Sequence, residues 1–239
     1  MCVKSLLLLL FTAASTGVTS LLLLLLCTVA NSATIYHSPQ DKHASARTMA
    51  GVLDDVLSPE HHPRCSVFFI IDAASSDPST IALMKVLRVP GGVGVFTAAA
   101  DVLDGNVTLQ QLPQVLSLAR KLRQVSWCVT VVVVSDDLTF LATFAQWSLK
   151  GRLLVWSTRL LVVTRLPLHH LHHLHTLLSN TNSMLIIYEE SLDSIRCGVY
   201  LQVPYSPQGA QALKVASWTP QRGLALTSSL PLFPDKFSR

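Results

Sequence analysis

The chain has 239 residues, enough for one domain of moderate size with a leader and a tail, and too few for two large domains. Half of it is apolar and only 13% is charged, against about 25% in an ordinary globular chain, which excludes a disordered polymer and calls for buried strands or a membrane segment. The net charge of +4 comes from scattered cations (Lys85, Arg88, Arg120, Lys121, Arg123, Lys150, Arg152, Arg159) with no aromatic residues interleaved, so no nucleic-acid groove is expected.

The chain opens on MCVK and a leucine-rich run without charge from Ser5 through Ala30, then VANSA, where Ala30 and Ser32 suit cleavage after Ser32. Residues 1–32 are therefore expected to be a signal peptide. Left uncut, the same run would serve as a signal anchor, since about 20 apolar residues cross a bilayer. Thr12 to Ser20 interrupts it and leaves Leu21 to Val29 as a short hydrophobic region, which favours cleavage. No later segment is expected to span: Val129 to Val134 is too short, and Leu153 to Leu166 carries Arg159 and Arg165. The remainder is thus expected to enter the secretory route and face the extracellular side.

Residues 33–63 mix Ser, His, Pro and charge, with a short helical hint at Met49 to Leu57, and are expected to form a loose arm. Order is expected from Cys65. SVFFIID (Ser66 to Asp72) predicts a buried strand, PSTIALMKVLR (Pro78 to Arg88) a helix, and VGVFTA (Val93 to Ala98) a second strand. A helix follows, placed from near Pro113 because proline suits a first turn. WCVTVVVVS predicts a strand and DDLTFLATFAQWSLKG a helix, with Ser135 and Asp136 able to cap its start and Gly151 its end. TRLLVVT, PLHHLHHLHTLL, SMLIIYE and RCGVYLQV continue the alternation. Near-continuous Val, Ile and Leu strands alternating with amphipathic helices predict an α/β domain over 64–203, a mostly parallel sheet with helices on both faces. Residues 204–239 hold Pro220, Pro231 and Pro234, show little helical period, and are expected to be a connector.

Few residues suggest chemistry. His169 and His173 stand four apart, a zinc-compatible spacing, yet Leu168, Leu171, Leu174 and Leu178 would form a core stripe that turns His169, His170, His172, His173 and His175 to solvent, and no HExxH is present. No metal is expected. Gly91, Gly92 and Gly94 precede a strand instead of opening a helix, so they are turn residues, and neither a P-loop nor GxSxG occurs. No cofactor is expected. Asp72 and Asp136 fall where strands end, the rim at which open α/β sheets bind ligands, although acidic residues there also complement a helix dipole. Nothing pairs a nucleophile with a base and an orienting group, so no enzyme is expected. Asn106-Val107-Thr108 fits the N-glycosylation acceptor pattern between two predicted elements, as in a surface loop. Beyond the leader lie Cys65, Cys128 and Cys197. An oxidising compartment pairs two of the three, and Cys65 with Cys128, which begin strands able to lie side by side, is the pairing expected.

Ser135 to Pro167 and Val199 to Arg239, above all VASWTP, the Gly223 region and LFPDKF, resemble the amino-terminal extracellular region of the divergent ionotropic receptors of invertebrates, chemosensory relatives of ionotropic glutamate receptors. The likeness covers about Cys65 to Arg239. It implies a periplasmic-binding-protein-like lobe belonging to a ligand-gated cation channel subunit, partnered by other receptor subunits and working in assembly. It also implies that 204–239 leads into a ligand-binding domain, and that membrane contact comes only from a channel region beyond Arg239 or an uncleaved leader. From another class, a free-standing secreted α/β module that binds a small ligand at the Asp72 and Asp136 rim fits the same residues.

Overall fold

The computed structural model describes residues 39–58, 65–72, 81, 84, 87, 92–98, 105–126, 128–155, 157–191, 194–203 and 211–233. The chain divides into two compact units, Met1–Asp41 and Lys42–Arg239, and the expected leader and its cleavage point lie outside the described residues. The second unit is built on one eight-stranded sheet.

The first strand, β1 (Ser66–Asp72), is flanked by β2 (Val93–Ala98) and β3 (Val129–Val134), both parallel to it. Next come β4 (Thr158–Thr164) and β5 (Asn182–Ser191), also parallel. Three antiparallel strands complete the sheet: β6 (Ser194–Val203), β7 (Gln211–Thr219) and β8 (Gly223–Leu226). The order is β2-β1-β3-β4-β5-β6-β7-β8. Successive side chains of a strand leave opposite faces. Val67, Phe69 and Ile71 therefore join one core with Val132, Val134, Leu161 and Val163. Phe68 and Ile70 join another with Val131, Val133, Leu160 and Val162. Apolar burial on both faces is why these segments are continuous Val, Ile and Leu.

Three helices cover the second face: α2 (Gly105–Val125), α3 (Leu138–Lys150) and a 3-10 turn (Leu168–Leu174) that runs into the short α4 (His175–Ser179). The first face is covered by α1 (Pro39–Val56) and by Met84, the one fully buried residue described from the predicted Pro78–Arg88 helix, most of which lies outside the described residues.

The structure corrects several expectations. Of the loose arm expected over 33–63, Pro39–Val56 is a helix: Val52 with Val56, and Met49 and Leu53 with Leu57, repeat at four-residue steps and pack on the sheet, so burial organises a segment whose other positions are polar or small. The helix expected from Pro113 begins at Gly105, with Pro113 inside. Its buried stripe of Leu112, Leu116 and Ala119 runs across the proline, so packing outweighs the lost backbone bond. The connector expected over 204–239 contains β7 and β8, and Leu232 and Phe233 are buried in the first core, so the sheet does not end at Val203. A bulge conceals the strand pattern there. Val199 pairs Ala216 while Tyr200 pairs Lys214, which leaves Val215 as the extra residue, and Val215 and Ala216 are both buried in that core. Consecutive burial breaks the period of two that marks a strand. The histidine run is a 3-10 turn leading into α4; of the expected stripe Leu171, Leu174 and Leu178 are buried, joined by Leu177, while Leu168 is exposed.

Candidate functional site: the carboxyl edge of the central strands

Strand order decides where a ligand would sit. The link from β1 to β2 puts Met84 on the first face, whereas α2, α3 and α4 all pack on the second, so the direction of winding reverses between β1 and β3. In an open parallel sheet the crevice outside the carboxyl ends of two such strands is the usual ligand position. Asp72 ends β1, and Ser135 follows β3 at the same level.

The structure brings Asp72 and Ser135 together. Asp72 is only 1% exposed, and its Oδ2 accepts a hydrogen bond from Ser135 Oγ at 3.3 Å. Ser135 Oγ accepts in turn from the Asp137 backbone N–H at 3.0 Å. Asp137 is the N-cap of α3, taking the Thr139 N–H on Oδ1 at 2.8 Å, so the cap falls one residue after the expected Asp136 and Ser135 braces the turn. Asp136 points across to β4. Its Oδ1 accepts the Arg165 backbone N–H at 2.6 Å and the Thr164 hydroxyl at 3.4 Å, and its Oδ2 lies 3.6 Å from Arg165 Nε. Arg165 stands over the Tyr188 ring of β5 at 5.6 Å, which extends the rim over a further strand.

Asp72 and Asp136 thus lie on one rim and serve different bonds, Asp72 toward β3 and Asp136 toward β4. Thr164, Arg165 and Tyr188 were not expected there. Thr164 ends β4, Arg165 follows it and Tyr188 lies within β5, but only the order of strands in space sets the end of β4 against the end of β3. Chemically the rim offers carboxylate and hydroxyl oxygens to cationic or hydrogen-bond-donating groups, with several of those oxygens already engaged by the turn they hold.

The remaining candidates lie elsewhere. Cys65 and Cys128 form a disulfide, with Cα atoms 4.7 Å apart, at the opposite, amino edge of β1 and β3. Ser66 N–H donates to Cys128 O beside it, at 3.1 Å. Cys197, on β6, is a buried free thiol whose pKa is pushed up to about 12 by burial and then by the charge of Glu189, so it stays protonated and unreactive at neutral pH. Burial, with Glu189 second, also raises the pKa of Tyr200. Asn106 falls in the first turn of α2 and not in the expected loop. His169, His170 and His172 are exposed, and among the described residues no group of three or more His, Cys, Asp or Glu is placed to hold a metal ion. Among the same residues no helix is long and apolar enough to cross a membrane. Compared with known proteins, the chain matches no family model and no curated protein.

Proposed function

We propose that this chain is the amino-terminal extracellular region of an ionotropic-receptor-like, ligand-gated cation channel subunit used in chemosensory signalling, and that it works in subunit assembly through its surfaces and not by catalysis. The observation that carries the reading is the Cys65–Cys128 bridge at the entry to the two central strands. Such a bond persists in oxidising compartments, which agrees with the leader-like start. The β2-β1-β3-β4-β5 order suits one lobe of a periplasmic-binding-protein-like domain. The strings behind the receptor resemblance have structural work in this fold: Val215 and Trp218 of VASWTP are buried in β7, and Leu232 and Phe233 open LFPDKF inside the first core. The partners are other receptor subunits, and the ligand site belongs to lobes beyond Arg239.

Sequencing the transcript past the Arg239 codon tests this directly. An in-frame ligand lobe followed by apolar spans is expected, and a stop codon at that point would sink the channel reading. Extracellular placement has its own checks: secreted protein is expected to begin near Ala33, and glycosidase is expected to shift its mobility unless Asn106 is changed to Gln.

The free-standing binding module is favoured by a different observation, the almost fully buried Asp72 carboxylate at the reversal point of the sheet. Under that reading a stop codon follows Arg239, and Asp72→Asn abolishes uptake of a small cationic ligand.

A further inference from the structure

Helix α2 carries two apolar stripes. Leu112, Leu116 and Ala119 face the sheet, while Leu118, Leu122 and Val125, at steps of four and three, are 51%, 41% and 85% exposed on the other side. Lys121 is exposed alongside them, and Arg120 and Arg123 share the same turns. The neighbouring α3, which packs against α2, repeats the pattern at its end with Leu149, 45% exposed, the exposed Lys150 over the Trp147 ring, and the exposed Arg152. Neither helix contains an Asp or Glu. Because α2 runs into β3 and α3 into β4, both basic ends arrive at the amino edge of the sheet, opposite the Asp72 rim.

Cations at helix C-termini complement the helix dipole without further purpose. That accounts for the charge and leaves the solvent-facing leucines without a role. Leucines set among cations, on helices that lack any carboxylate, are complementary to an apolar surface ringed by negative charge. We propose that the ends of α2 and α3 form a docking surface for an acidic, leucine- or aromatic-bearing face of another protein. A second copy fits poorly: a two-fold contact sets Lys121 and Lys150 against like charges, and at the copy's carboxyl rim Asp136 is already engaged by Arg165. A bilayer fits poorly as well. The anionic surface potential belongs to the cytoplasmic leaflet, whereas the Cys65–Cys128 domain belongs in an oxidising space. This last step rests on the extracellular placement proposed above.

The test places a photoreactive amino acid at Leu122 of the full chain, secreted by the cells that express it, with the same probe at exposed Arg222 as control. Adduct peptides sequenced from Leu122 are expected to be rich in Asp and Glu with interspersed apolar residues. Lys121→Glu with Lys150→Glu, checked for native circular dichroism, is expected to cut the yield at least about tenfold. Neutral or basic adduct peptides, adducts of the chain with itself, adducts common to both positions, or none at all would overturn the proposal. Purified protein is also mixed with phosphatidylserine vesicles and with heparin; binding to either that the double substitution removes reassigns the surface and overturns the protein partner. An acidic protein partner that is not a channel subunit would sink the assembly reading and leave this surface standing.

Discussion

The parallel half of the sheet, β2-β1-β3-β4-β5, and the antiparallel half, β6-β7-β8, are held by different means. Strands β1, β3 and β4 are covered on both faces, and a disulfide ties β1 to β3. The buried hydrophobic residues of the antiparallel half, among them Val199, Leu201, Val215 and Trp218, all lie in the first core with α1, where Trp218 of β7 also donates its indole N–H to Asp55 Oδ2 of α1 at 2.6 Å and lies against Gly51. A Cβ on Gly51 would come 2.9 Å from the Trp218 ring, so the glycine is what lets helix and strand approach. One half is buried on both faces, the other on one face with a local latch to α1, and the two should fail differently.

The largest effect is expected in the parallel half. Phe69→Ala opens a cavity at a fully buried position of β1 and should cost about 3–5 kcal/mol in urea or guanidinium unfolding. A loss under 1 kcal/mol would mean that the two-face core does not exist as described. Next is the bridge. Replacing both Cys65 and Cys128 with Ser frees a link spanning 63 residues and should cost roughly 2–4 kcal/mol. Unchanged stability in the double variant would show that packing alone holds the two strand entries.

The latch is the sharper comparison. Trp218→Phe keeps most of the ring and strands the Asp55 carboxylate, at an expected cost of about 1–3 kcal/mol. Hydrogen exchange should rise in α1 and β7 while β1 and β3 keep their protection. Uniform loss of protection would deny any distinction between the halves.

Cys197 tests the join between the halves, since it pairs with both Tyr188 of β5 and Trp218 of β7. Its folded pKa of about 12 lies above the ordinary 9.0, so the unfolded chain releases the proton first. Stability is complete below pH 9 and drains away as pH rises toward 12, by roughly 1 kcal/mol near pH 10. Cys197→Ala should remove the slope between pH 9 and 10, below the range in which the raised Tyr200 hydroxyl adds its own; an unchanged slope there would place the titrating group elsewhere.

The same contrast explains what the sequence disclosed. VTVVVV and SVFFIID are legible because strands buried on both faces need no polar positions. In β7 the sequence QALKVASWT mixes half-exposed positions with a bulge at Val215, so neither the period of two nor that of 3.6 survives, and prolines nearby argue for a linker. The amphipathic positions of α1 were visible only from Met49 onward because the sequence before it, PQDKHASART, holds no large apolar residue. At the rim, Asp72 and Asp136 were legible as strand-end acids, a property of local sequence. Thr164 and Arg165 were not, because their nearness to Asp136 depends on β3 and β4 lying side by side, and parallel pairing leaves no local trace.

The smallest effect concerns the end of α3, where Gly151 is the C-cap as expected but not in the conformation that favours glycine. Its φ of −79° is open to any residue, and Arg152, at φ 50°, takes the left-handed position. The bonds are those of a Schellman turn: Leu153 N–H to Ser148 O at 3.1 Å and Arg152 N–H to Leu149 O at 3.2 Å. A side chain at a left-handed position costs about 1–2 kcal/mol, and glycine removes that cost at some expense in unfolded-state entropy. Arg152→Gly should therefore stabilise the protein by about 0.5–1 kcal/mol, read as a rise of a few degrees in Tm. Because Arg152 is exposed and makes no ion pair among the described residues, little charge interaction is lost to mask the gain. A fall in Tm would show that the guanidinium contributes more than its backbone costs.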